Sequence, residues 1–147
     1  MNYRWKFTID ERVRWGDVDA ARIIFYGAYI RFFEIAETEL FRAVGLPYGV
    51  MFDELDIWLP RVHLECDFHH AARLDDLLEV SVYVGKLGRT SMRFEYQVFN
   101  KATSELLATG FSVHVTVDSG MKPTRLPEEV RRKVIIFPLS TAPAKKK

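Results

Sequence analysis

Trp15-Gly16-Asp17-Val18-Asp19-Ala20-Ala21-Arg22-Ile23-Ile24-Phe25-Tyr26-Gly27-Ala28-Tyr29 joins an alternating strand to a long amphipathic helix. Two carboxylates, Asp17 and Asp19, stand a few residues ahead of the helix start. Backbone N–H groups at such a start lack partners within the helix and point outward. Together with the helix dipole they favour a developing negative charge. A carboxylate beside them supplies a base or nucleophile next to a place for an oxyanion. An Asp-x-Asp ahead of a helix more often caps it or solvates a loop. Here Ile23, Ile24, Phe25 and Tyr26 follow, and an apolar rim makes a carboxylate a better functional candidate.

The helix is read from Tyr29, Phe32, Phe33, Ala36, Leu40, Ala43 and Val44, which recur at helical spacing and form one apolar stripe. Arg31, Glu34, Thr38 and Arg42 fall on the other side. The start lies between Ile24 and Ala28. Gly45 fits the position just past the end, with Pro47 beyond it.

The rest of the chain supplies cover for that stripe. Phe7, Ile9, Val13 and Trp15 read as a half-buried strand, interrupted by Glu11. Tyr48, Met51, Phe52, Ile57 and Trp58 lie in a loop too apolar for a bare linker, expected to pack over the helix or line a pocket. Val62, Leu64, Cys66 and Phe68 alternate with Arg61, His63, Glu65 and Asp67 in a second strand. Leu78, Val80, Val82 and Val84 form a third, and Gly85–Arg89 a connection. Met92, Phe94, Tyr96 and Val98 form a fourth, and Asn100–Ser104 a turn. Leu107, Phe111, Val113, Val115 and Val117 form a fifth, with Ser112, His114 and Thr116 on its other face. Pro127 is placed first in a short helix reaching about Lys133. One strand, one long helix and then four strands make an α+β chain whose antiparallel sheet buries the helix. Residues 1–137 read as a single domain and 138–147 as a disordered tail.

The 147 residues suit one domain with a core of its own. Apolar residues make up 48%, which argues against disorder. A net charge of +1 gives no reason to expect a nucleic-acid partner. Cys66 is the lone cysteine, so no internal disulfide framework exists. The chain opens without an apolar run of signal type, and no stretch is apolar enough to span a membrane. A cytoplasmic setting is the expectation.

Other chemistry is sparse. His63, His69, His70 and His114 lack metal-site spacing, so no metal is expected. His63 and His114 take the polar parity of their strands and are expected at a surface or interface. Cys66 takes the apolar parity and reads as a small core residue. The Gly-x-Ser-x-Gly elbow, the Walker pattern and the dinucleotide glycine pattern do not occur. Lys86, Arg89, Thr90 and Ser91 surround two glycines, which suits either a phosphate or a solvated turn.

The run from Asp17 to Tyr29, followed by Phe32-Phe33-Glu34, resembles the signature of hotdog-fold acyl-CoA thioesterases of the 4-hydroxybenzoyl-CoA thioesterase type. The strand order extends the resemblance from about Phe7 to about Val134. It implies a five-stranded antiparallel sheet wrapped round the helix, a homodimer as minimal unit and a homotetramer beyond it. It implies hydrolysis of a short, medium-chain or aromatic acyl-CoA without a cofactor. Asp19 takes the catalytic place and Tyr26 that of the backbone N–H on the thioester oxygen. Lys86, Arg89 and Ser91 match the region for CoA phosphates, and Glu34 an acidic position facing the acyl group across the dimer. Tyr29, Phe33, Phe52 and Trp58 suit an aromatic-lined acyl pocket, or equally the core. The family usually has Gly where Arg22 stands, and often Pro or Asn at Gly27. Two alternatives stay open: a non-catalytic acyl-CoA binder of the same fold, and a hydroxyacyl-thioester dehydratase. The dehydratase is disfavoured because no His lies between Met1 and Val62.

Overall fold

The computed structural model describes residues 6–135, so the expected tail and the domain limit at 137 lie outside it. Strand β1 (Phe7–Arg12) leads through a single 3-10 turn (Trp15–Asp17) and the acidic loop into α1 (Ala28–Ala43). Then come α2 (Tyr48–Asp53), β2 (Arg61–Phe68), β3 (Leu77–Leu87), β4 (Ser91–Asn100), β5 (Leu106–Val115) and α3 (Glu128–Val134). The five strands form one sheet in the order β1-β3-β4-β5-β2. Every neighbouring pair is antiparallel. This is the α+β hotdog arrangement expected from the sequence.

The sheet covers α1 through the inward parities of its central strands. Leu78, Val80, Val82 and Val84 of β3 are fully buried, as are Met92, Phe94 and Val98 of β4. Against them α1 sets Phe32, Ala36, Leu40 and Phe41, each with no exposed surface. Each large apolar side chain buried this way contributes roughly 1.5–3 kcal/mol. The helix ends as its residues dictate. Gly45 takes φ +78°, Leu46 N–H reaches the Phe41 carbonyl at 2.8 Å and Gly45 N–H that of Arg42 at 3.2 Å. That pair of bonds is the Schellman closure, and glycine adopts its left-handed residue without penalty.

The structure corrects several expectations. Trp15 is not a strand residue but lies 82% exposed in the 3-10 turn. Ala43 is exposed, and the buried stripe includes Phe41 and the charged Glu37 instead. The apolar stretch after α1 is partly the helix α2, and Pro127 caps α3 rather than starting it. Gly85, Lys86 and Leu87 belong to β3, whose pairing shifts register between Val84 and Lys86, so the turn to β4 is shorter than expected.

The faces of β5 are the largest difference. Ser112, His114 and Thr116 point inward and are buried, while Phe111, Val113 and Val115 lie outward and half covered. Outward Phe111 is covered by the Arg93 guanidinium, 3.5 Å from its ring centre, and by stacking on His63. Inward, β5 passes close to the helix at Gly110, where an added Cβ would lie 2.9 Å from the Phe33 ring. A small and polar strip fits there because α1 presents a carboxylate to it.

Candidate active site

The acidic loop folds back on itself as a narrow hairpin. Phe25 N–H bonds the Asp17 carbonyl at 2.6 Å, Val18 bridges Ile24, and Asp19 N–H bonds the Ile23 carbonyl at 3.1 Å. At the tip Arg22 N–H bonds the Asp19 carbonyl at 2.9 Å, and Asp19 Oδ1 accepts the Ala21 N–H at 2.8 Å. Asp is favoured at the first position of such a turn because its side chain makes this bond. Arg22 is held at φ +65°, the left-handed region that glycine occupies freely. The resemblance placed Gly there, and the backbone keeps that shape with Arg in it. Arg22→Gly is therefore expected to stabilise the fold by about 1 kcal/mol, read from urea unfolding.

The two carboxylates have different fates. Asp17 is 5% exposed. Both its oxygens accept from Arg31 Nη2, at 2.8 and 2.7 Å, and Oδ2 also accepts the Arg14 N–H at 2.8 Å. Asp19 is exposed at the hairpin tip and keeps Oδ2 free of any bond to the described residues. At the hairpin base the chain turns into α1. The Tyr29 N–H bonds the Tyr26 carbonyl at 3.4 Å, whereas the Tyr26 and Gly27 N–H groups have no acceptor among the described residues.

The aromatic residues expected around an acyl group divide between two cavities. Tyr26 and Tyr29 line one of about 250 Å³ with Ile23, Phe68 and His69. Burial pushes the Tyr29 phenol up to about 12, so it stays protonated. Glu34, Phe52 and Trp58 line another of about 300 Å³, together with Tyr48 and Arg61. Phe33 joins neither and stacks on Tyr96 in the core. Lys86 and Arg89 are exposed near the β3–β4 turn, where the Ser91 carbonyl accepts the Gly88 N–H. Among the described residues, no hydrogen bond joins these three to the Asp19 hairpin.

The thioesterase-like superfamily model matches residues 13–134. The chain belongs to that family. It is 32% identical over 127 residues to the acyl-CoA thioesterase YbgC of Haemophilus influenzae, covering 85% of this chain and 91% of the relative. It is 25% identical over 112 residues to a 1,4-dihydroxy-2-naphthoyl-CoA hydrolase of Crocosphaera subtropica, covering 76% and 82%. The crystal structure of an Aquifex aeolicus protein superposes with a TM-score of 0.81 at 28% identity, covering 87% and 98%. The family is thus one of thioester hydrolases. Its relatives span YbgC and dihydroxynaphthoyl-CoA types, so membership does not single out the 4-hydroxybenzoyl-CoA type.

Beyond the expected residues, the family fold here encloses a polar cluster. Glu37, 1% exposed, accepts from Tyr48 at 2.9 Å, Arg61 at 2.9 Å and Tyr96 at 3.1 Å. Tyr96 shares a hydrogen bond with Ser112 at 2.8 Å, and Ser112 with His114 at 2.8 Å. Burial pushes the Glu37 carboxyl up and the His114 imidazole down to about 3. Histidine ordinarily titrates near 6.5, so the folded chain binds fewer protons than the unfolded one between 3 and 6.5. His114 therefore contributes stability that is full above 6.5 and lost as pH falls toward 3. Glu37 acts with the opposite sign above its ordinary 4.5, so the net loss is steepest below that value. His114→Asn is expected to flatten this acid limb when unfolding is followed by circular dichroism.

Proposed function

We propose that the chain hydrolyses acyl-CoA thioesters, with Asp19 as general base or nucleophile and the Tyr26 N–H donating to the oxyanion. The observation that carries this reading is the division of labour in the hairpin. Asp17 is consumed by Arg31 and the Arg14 amide, while Asp19 keeps an oxygen available on the same hairpin that leads into a helix start with unpartnered N–H groups. The thioester carbonyl would lie against Tyr26 and Gly27. Asp19 either takes a proton from the attacking water or attacks the carbonyl itself to give a mixed anhydride. In both cases the carbonyl oxygen becomes negative, the C–S bond breaks and CoA leaves as its thiolate. On the base route the proton held by Asp19 passes to that thiolate. On the anhydride route water then hydrolyses the anhydride, releasing the acid, freeing Asp19 and supplying the thiolate's proton. One oxyanion donor is typically worth about 10²–10³ in rate. No metal, redox centre or other cofactor takes part in this scheme.

The unit that does this is a homodimer, with a homotetramer beyond it. Two features support pairing. Asp19 is exposed within one chain, whereas catalytic carboxylates work in sites that exclude water. Strand β2 is a sheet edge carrying Val62 and Phe68, which are 60% and 53% exposed. An apolar edge of that kind calls for a partner. Lys86 and Arg89, with Ser91, hold the CoA phosphates at the rim.

The acyl group enters the cavity of Glu34, Phe52 and Trp58, deepened by Tyr48. Tyr48, Phe52 and Trp58 stack in a ladder, with ring planes 8° and then 6° apart. A flat aromatic acyl group extends such a ladder, and a medium alkyl chain also fits its apolar wall. The test is thiol release from a panel of aliphatic and aromatic acyl-CoA esters. Turnover supports the reading, and the best ester names the acyl group. A folded dimer that retains acyl-CoA without turnover is instead a binder of the same fold.

A further inference from the structure

Arg61 is the unexpected member of the acyl cavity. By strand parity it shares the outer face of β2 with His63 and Glu65. The β2–β5 pairing, however, shifts register between Arg61 and His63, whose partners are the adjacent His114 and Val113. Such a bulge turns one side chain to the opposite face. Arg61 thereby reaches the buried Glu37 from the end of β2, leaving Val62 exposed. Its side chain remains 38% exposed and lines the cavity beside Trp58 and Tyr48. Only Nη2 is bonded, to Glu37, so the other guanidinium N–H groups have no acceptor among the described residues.

This is a built donor. A buried carboxylate, itself braced by Tyr48 and Tyr96, fixes one edge of the guanidinium. The free edge fronts a cavity whose other wall is an aromatic ladder. A guanidinium only donates, so its complement is an oxygen acceptor. Glu34 lines the same cavity but is bonded to Thr38 and not to Arg61.

We infer that Arg61 is a specificity-determining residue that selects acyl groups bearing an oxygen acceptor at the end remote from the thioester, and that Glu37 is its positioning residue. This rests on the acyl cavity assigned above. The cavity then takes a keto-, alkoxy- or hydroxy-substituted acyl group in preference to its hydrocarbon counterpart.

The test uses two non-hydrolysable CoA thioethers of matched shape, S-(4-acetylbenzyl)-CoA and S-(4-isopropenylbenzyl)-CoA, which carry no competing carboxylate on the ring and differ in a ketone oxygen against a methylene. Binding to the full chain is measured by calorimetry, and hydrolysis of the CoA esters of 4-acetylbenzoate and 4-isopropenylbenzoate is measured separately. The wild type is expected to favour the ketone about tenfold, the scale of one hydrogen bond from a charged donor. Glu37→Gln should narrow the preference. Removing Arg61 alone strands a buried carboxylate and risks the fold, so the clean variant is the double change Arg61→Met with Glu37→Leu, expected to bind both thioethers alike. General damage to the fold would weaken both thioethers equally and leave the ratio intact, so the ratio isolates the proposed role. Equal binding by the wild type overturns the inference, as does a preference that survives the double change. Hydrolysis of both esters without preference overturns it while leaving the thioesterase reading in place. A preference in binding with no turnover of any ester supports the Arg61 assignment and overturns the hydrolase reading.

Discussion

Replacing Asp19 with Asn is expected to lower acyl-CoA hydrolysis by about 10²–10⁴, the usual worth of a positioned base, and to leave the thermal midpoint almost unchanged. The hairpin geometry explains both halves. Asn keeps the oxygen that accepts the Ala21 N–H at 2.8 Å, so the turn survives. It loses the charge and basicity of the oxygen left free, which is what water activation or attack requires. The neighbouring Asp17→Asn should behave the other way. Asn there loses the charge that holds Arg31 and places an amide where two donors converge. Arg31 is 40% exposed, so solvent screening discounts the ion pair, and a stability loss of about 1–3 kcal/mol is expected. Activity should fall far less than for Asp19→Asn. The pair is checked by thiol release and urea unfolding on the same preparations. If Asp17→Asn proves the more damaging to turnover at a temperature where both variants are folded, the catalytic assignment to Asp19 is wrong.

The parts of this molecule that one period governs could be read from the chain. The stripe from Tyr29 to Leu40, the glycine closure at Gly45 and the alternation along β3 and β4 each follow from a single local rule, and each stands in the fold. What escaped were residues whose environment is made by distant elements. On β5 both parities carry plausible core residues, and apolar Phe111, Val113 and Val115 outweigh Ser112, His114 and Thr116 on hydropathy alone. The inward choice is set by Glu37 on α1 and Tyr96 on β4, which supply hydrogen bonds to the polar set. A signal was present: Glu37 falls on the apolar stripe, four residues from both Phe33 and Phe41, where a lone acid demands partners. Arg61 was hidden for a different reason, since a bulge shifts parity without any mark in the composition. The carboxylate pair of the loop is intermediate. The spacing of Asp17 and Asp19 points to the loop ahead of the helix, but only its folding into a hairpin and the bonds of Arg31 and Arg14 distinguish which carboxylate is spent.

Glu37→Ala is expected to destabilise the fold by about 3–5 kcal/mol, because it strands the groups the carboxylate serves. Tyr48 loses its acceptor, Tyr96 is left with Ser112 alone, and Arg61 loses the charge that fixes it at the end of β2. Tyr96 is 2% exposed and cannot turn to water instead. The Phe33 ring stacked on it, with centres 4.3 Å apart, and Ser112 beyond it would lose their registry as well. Hydrophobicity cannot account for such a loss, since alanine is the more apolar residue. Glu37→Gln should cost less, because it keeps the side-chain volume and one acceptor oxygen, while its amide nitrogen replaces the oxygen that served the other partners. Changing Glu37 to Leu together with Arg61 to Met should cost less than the alanine change alone, since the ion pair leaves with both partners and the volume is kept. The ranking is read from urea midpoints at neutral pH, with the slope checked for a common unfolded state. A Glu37→Ala variant as stable as the wild type would mean that water reaches the cluster and satisfies the abandoned donors. The carboxylate would then hold no clamp on Arg61, and the selection of acceptor-bearing acyl groups would lose its physical basis.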